Sequence, residues 1–205
     1  MTNCTIGLLL FDGAEELDFV GPFEVFTMTS EVADHRKLES RNEVVLISET
    51  GADITGAKGM RIGIDRAMAE APALDVICIP GGRGTRPLIK NRSVLDWVAA
   101  TAKRCTWVTS VCTGAFVLAA AGLTEGRAVT THWAAMEEFG QLGLVGELRQ
   151  GVRYVRDGNL VTAAGVSAGI DMALWLTGQI HGVQMARDTQ RAMEYLPAPP
   201  YTADT

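Results

Sequence analysis

This chain lacks the marks of several function classes. Its 18 basic residues form no run and no basic helix face, and 24 acidic residues outnumber them for a net charge of −6. A nucleic-acid partner is therefore not expected. No uncharged apolar stretch reaches the ~18 residues of a membrane span, so no membrane role is expected. The start, Met1-Thr-Asn-Cys-Thr5, has no basic n-region, and the apolar run Ile6–Phe11 is too short for a secretory signal. No Cys-x-x-Cys or His-Glu-x-x-His spacing occurs, which argues against a zinc site. No lysine follows a glycine, so the Walker phosphate loop is missing, and so is a dinucleotide glycine pattern. Neither a metal nor an organic cofactor is expected. The four cysteines, Cys4, Cys78, Cys105 and Cys112, show no disulfide or metal-type pairing. Three lie in or beside apparent strands, which suits a reducing cytoplasm.

What is present describes an ordinary globular chain. Apolar content of 47% over 205 residues suffices for one domain, residues 1–205, with a sizeable core. Strand and helix patterns alternate. Thr5–Leu10, Glu43–Ser48, Leu74–Ile79, Trp107–Val111 and Arg127–Thr131 read as strands, and Thr50–Ile64 as a small hairpin excursion. Arg153–Arg156 and Leu160–Thr162 flank Asp157-Gly158-Asn159, a hairpin signal. Helices are expected over Pro22–Met28, with Pro22 in the first turn, over Ser93–Ala102, after Cys112 as far as Gly122, and over Ser167–Gln179 and Gln184–Tyr195. The tail Pro197-Ala-Pro-Pro200 should lie extended. The pattern predicts an α/β fold, a mostly parallel central sheet flanked by helices on both faces. Ligands of such sheets bind beyond the carboxyl ends of the strands.

Cys112 carries the most information. Strand-like Trp107-Val-Thr-Ser-Val111 meets helix-like Thr113-Gly-Ala-Phe-Val-Leu-Ala-Ala-Ala121 with almost no loop between them. The chain must turn sharply there, as at a nucleophile elbow, and aim the side chain above the strand ends. Orphan N–H groups of the first helical turn would favour a thiolate.

Three further pieces can share the pocket. Pro80-Gly81-Gly82-Arg83-Gly84 can offer N–H donors to a developing negative charge; a plain tight turn explains it equally well. Asp18, in Glu15-Glu16-Leu17-Asp18, can move protons for a thiol; alternatively it caps the following helix. His132, in Thr130-Thr-His-Trp133, can pair with a cysteine, or simply cap a helix or pack beside Trp133. His35 and His181 receive no role.

Leu74-Asp-Val-Ile-Cys-Ile-Pro-Gly-Gly82, Val108-Thr-Ser-Val-Cys-Thr-Gly114 and Thr130-Thr-His-Trp133 resemble the ThiJ/PfpI superfamily, with its glutamine-amidotransferase-like fold. Within it, Leu17-Asp-Phe-Val-Gly-Pro22, Val155-Arg-Asp-Gly-Asn159, Ala168-Gly-Ile-Asp171 and Glu194-Tyr-Leu-Pro-Ala-Pro-Pro200 are most similar to isocyanide hydratases. The resemblance spans Ile6 to about Pro200. It implies Cys112 as nucleophile, Asp18 as the acid that shuttles protons, and the N–H groups of Gly82 and Thr113 as anion-stabilising donors. Gly81 and His132 are the implied substrate-binding residues. The implied resting form is a thiolate beside protonated Asp18. Proteolytic members carry histidine after the cysteine, where this chain has Thr113, so peptidase activity is not implied. The implied reaction is hydration of a small-molecule isocyanide to a formamide, by a homodimer. Two alternatives stay open. One is a glyoxalase-type enzyme acting on α-oxoaldehydes, for which His132 is the discriminator. The other is a redox or ligand sensor; regulators of that kind carry a basic helix-turn-helix segment, and none follows this core before Thr205.

Overall fold

A computed structural model describes residues 3–197. In chain order the elements are β1 (Cys4–Leu9), α1 (Glu16–His35), β2 (Asn42–Ser48), β3 (Ile54–Thr55), β4 (Arg61–Ile62), β5 (Arg66–Ala67), β6 (Val76–Ile79), α2 (Thr85–Leu88), α3 (Arg92–Ala102), β7 (Trp107–Val111), α4 (Gly114–Ala120), β8 (Ala128–Val129), α5 (Met136–Gln141), β9 (Glu147–Leu148), β10 (Tyr154–Asp157), β11 (Leu160–Ala163), α6 (Ala168–His181) and α7 (Val183–Ala192).

Seven strands form the main sheet in the order β10-β11-β7-β6-β1-β2-β5. All neighbours pair in parallel except the β10–β11 hairpin. Ile6 of β1 sits opposite Val44 on one side and Val76 on the other. Every residue of β6, Val-Ile-Cys-Ile, is fully buried, as expected of a strand covered on both faces. Burying each large apolar side chain there contributes roughly 2 kcal/mol.

The order of the strands places the helices. From β1 the chain crosses to β2 on one side; from β6 it crosses to β7 on the other. Both crossovers are right-handed by rule, so α1 and α3 cover opposite faces. Helices α6 and α7 pack with α1, and α2 and α3 pack with α4. The crevice between the carboxyl ends of β1 and β6 is therefore the topological switch point, where ligands of such sheets bind.

Several boundaries differ from the sequence expectation. Helix α1 begins six residues before Pro22, so the proline lies in its interior and Asp18 in its first turn. The missing N–H costs one helical bond. Close packing offsets that loss: a Cβ on Gly21 would meet Ile170 Cγ1 at 2.9 Å, and a Cβ on Gly169 would meet Pro22 Cγ at 3.3 Å. The strand expected over Arg127–Thr131 shrinks to β8, which pairs with β9 away from the main sheet. The reason is that Thr130 and Thr131 spend their polar groups elsewhere. Thr130 N–H donates to Thr162 Oγ1 at 2.8 Å and Thr131 Oγ1 donates to the Cys112 carbonyl at 2.8 Å. The β10–β11 hairpin turns at Gly158, φ +58°, as expected. The predicted extended tail falls, beyond Pro197, outside the described residues. No helix among the described residues is long and apolar enough to cross a membrane.

Candidate active site

Cys112 follows β7 directly, and only Thr113 separates it from α4. Its φ of +56° is left-handed, a conformation that costs a non-glycine residue roughly 1–3 kcal/mol. The fold holds it there. Cys112 N–H donates to the Ala163 carbonyl at 3.1 Å, and its own carbonyl accepts from Thr131 Oγ1. The elbow lies so close to the β6 loop that two glycines are obligatory. A Cβ on Gly114 would sit 2.0 Å from the Ile79 carbonyl oxygen, and one on Gly81 would sit 2.5 Å from Thr113 N and 2.8 Å from Cys112 Cβ.

Asp18 enters from α1 on the other side of the switch point and is fully buried. Its Oδ2 accepts the Gly81 N–H at 2.8 Å. Oδ1 is buried without a hydrogen bond of ordinary geometry, yet the Cys112 side chain and the Val166 backbone lie close enough to favour its charged form. Burial is the larger effect and pushes Asp18 up to about 7, with Glu15 adding to it. Burial also pushes Cys112 up to about 12, and the charge of Asp18 pushes in the same direction; the N–H and hydroxyl of Thr113 oppose both. Two neighbouring anions are disfavoured, so the pair retains at least one proton around neutrality. Burial raises both groups, so desolvation disfavours either charge and the two share that proton as a coupled unit. Against the expected thiolate, burial of Cys112 at 7% exposure works in opposition to the N–H and hydroxyl of Thr113.

An open cavity of about 430 Å³ stands over the elbow, lined by Glu15, Gly82, Arg83, Arg86, Cys112, Thr113, His132 and Val166. Residues 5–179 match the DJ-1/PfpI family. The chain belongs to that family. It is 39% identical to the isonitrile hydratase of Pseudomonas putida over 196 residues, 96% of this chain and 80% of that one. It is 28% identical to the HTH-type transcriptional regulator GbdR of Pseudomonas aeruginosa over 89% of this chain, which spans 48% of the regulator. Among solved structures, a THiJ/PfpI family protein from Pseudomonas syringae matches with a TM-score of 0.87 at 29% identity, covering 100% of this chain and 80% of that one. Drosophila melanogaster DJ-1beta shares the fold, with a TM-score of 0.80 at 20% identity over 94% of this chain and 98% of that one.

The site residues expected from the sequence converge, with changed partners. Thr113 turns its N–H and hydroxyl to the sulfur. Gly82 N–H is not free for an anion, because it donates to Thr113 Oγ1 at 3.0 Å. Gly81 does not line the cavity; its N–H belongs to Asp18. His132 reaches the cavity wall, but its Nδ1 accepts the Ala134 N–H at 3.3 Å and its ring packs beside Trp133. The groups that shift Cys112 are Asp18 and Thr113, not His132. Among the described residues, no group of three or more His, Cys, Asp or Glu side chains is placed to hold a metal. Sequence reasoning missed Val166, which lines the cavity with φ +47°. A β-branched residue in the left-handed region carries no sequence signal. Arg83, in the glycine-rich loop, and Arg86, in α2, also line the cavity without a sequence signal of their own.

Proposed function

We propose that this chain hydrates isocyanides to N-substituted formamides with Cys112 as nucleophile. The observation that carries the reading is the buried Asp18–Cys112 pair at a strained elbow beneath an open cavity. The similarity to an isonitrile hydratase supports it. Asp18 takes the thiol proton as Sγ bonds to the isocyanide carbon, and that proton passes to the same carbon. The carbon–nitrogen triple bond becomes the C=N bond of a thioimidate. Asp18 next takes a proton from water as its oxygen adds to that carbon, and the proton goes to nitrogen. The hydroxyl proton then moves to sulfur through Asp18 as the C–S bond breaks and the formamide C=O forms. One water is consumed and the pair is restored. Thr113 stabilises negative charge developing on sulfur, and Gly82 positions the Thr113 hydroxyl. The thiol supplies the covalent catalysis and the pair carries the protons, so no metal or organic cofactor enters a step of this scheme.

The glyoxalase-type reading needs His132 as a proton carrier, and its Nδ1 is engaged in capping. The similarity to a transcriptional regulator favours a ligand-sensing role as the second reading. The experiment is a panel of alkyl and aryl isocyanides and methylglyoxal, with wild type beside Cys112→Ser. Formamide formation that falls by orders of magnitude in Cys112→Ser is the expected result. Turnover of methylglyoxal alone would replace the proposal, and no turnover of either class would leave the sensing role.

A further inference from the structure

Three charged side chains line the cavity over Cys112: Glu15, Arg83 and Arg86. Two are already answered. Lys58 bonds Glu15. Arg86 donates from Nε to Glu138 Oε1 at 2.8 Å and from Nη1 to Thr85 Oγ1 at 2.8 Å, and its guanidinium lies 4.4 Å from the centre of the Phe116 ring. Arg83 makes no ion pair and no side-chain hydrogen bond among the described residues. Its backbone is nevertheless fixed. Gly82 turns at φ +116° before it, and Gly84 N–H after it donates to the Gly13 carbonyl at 3.2 Å. Its stem packs on that same loop, since a Cβ on Gly13 would lie 3.1 Å from Arg83 Cγ. An anchored stem thus presents an unanswered guanidinium at the wall of the reaction cavity.

We propose that Arg83 recognises a carboxylate on the substrate. On the hydratase reading, on which the substrate class rests, the preferred substrates are isocyanides whose N-substituent carries a carboxylate. The planar guanidinium matches a carboxylate with two parallel hydrogen bonds. A cavity of about 430 Å³ holds far more than the isocyano group, so a substituent of amino-acid size fits beside it.

The test compares isocyanoacetate with an uncharged isocyanide of similar size, in wild type, Arg83→Gln and Arg83→Lys. The ratio of kcat/KM for the charged over the uncharged substrate should fall about fivefold in Arg83→Gln, as for an exposed ion pair, and recover only in part in Arg83→Lys, which restores the charge but not the paired hydrogen bonds. The drop should lie in KM and shrink as ionic strength rises. In parallel, alkylation of Cys112 by iodoacetate and by iodoacetamide, followed by peptide mass spectrometry, reads the same preference without requiring hydration. An alkylation ratio lowered by Arg83→Gln supports the anion site even if no isocyanide is hydrated, which would remove the hydratase reading alone. Hydration of isocyanides with a charge preference equal in wild type and Arg83→Gln would overturn the carboxylate assignment alone.

Discussion

The Thr131 hydroxyl donates to the carbonyl of Cys112 at 2.8 Å, so the loop after β8 clamps the left-handed peptide at the elbow. The other donor to that carbonyl, Ala115 N–H, is longer at 3.4 Å. Thr131→Val keeps the shape and removes the clamp. A buried acceptor that loses its partner costs about 1–3 kcal/mol. Urea unfolding is expected to show a loss of that size, with a fall in kcat, while Thr131→Ser stays close to wild type. Equal stability of Thr131→Val and wild type would show that this hydroxyl does not hold the elbow.

The acid limb of the pH–rate profile belongs to Asp18. Below about 7 the carboxyl takes a second proton into the pair, and the base needed by the thiol is gone. Cys112, at about 12, titrates beyond the working range. kcat/KM measured from pH 5 to 9 should rise tenfold per pH unit below about 7 and level off above it. A flat profile would place the base elsewhere.

Stability should follow the opposite trend. Folded Asp18 titrates near 7, above its ordinary 3.8, so between those values the folded chain holds the extra proton. Its contribution to stability is therefore greatest at the acid end of that window and is lost as pH rises through it. Above about 7 the buried charge costs of the order of 4 kcal/mol. Asp18→Asn keeps an acceptor for Gly81 N–H and removes the charge. The variant should melt above wild type at pH 8, with a smaller difference at pH 5, while losing turnover by orders of magnitude. A lower melting temperature at pH 8 would contradict the assigned cost of burial.

A homodimer is proposed on the family resemblance and on apolar surface late in the chain, where Val183 and Leu196 are 60% and 79% exposed. Sedimentation equilibrium at micromolar concentration should return twice the chain mass. A single species of one chain mass would refute the dimer.

The sheet and its elbow were legible because their signals are local. A short, wholly apolar, mostly β-branched Val76–Ile79 closed by Pro80-Gly81-Gly82 reads as a covered strand, and Val111 and Thr113 leave no room for a loop around Cys112. The length of α1 was not legible: Gly21-Pro22 reads as a helix start, and only contact with Ile170 and Gly169 explains its place in the interior. One of the two expected donors also has another partner: Thr113 N–H faces the sulfur, but Gly82 N–H bonds the Thr113 hydroxyl. Which N–H faces the sulfur depends on ångström-scale approach between loops 30 residues apart, and no spacing records that. Helix-dipole reasoning likewise sees the donors near Cys112 but not the depth of its burial, which pushes the thiol up.

The convergence at the switch point also makes Cys112 a reporter of chain assembly. Asp18, Cys112 and Val166 come from widely separated stretches of sequence, and the thiol's environment exists only once all have docked. In the unfolded chain the thiol reverts to about 9 and the carboxyl to 3.8. A small alkylating agent at pH 8 should therefore label unfolded or half-assembled chains much faster than native ones. The lag before Cys112 becomes resistant during refolding would time the closure of the sheet centre from within the protein itself.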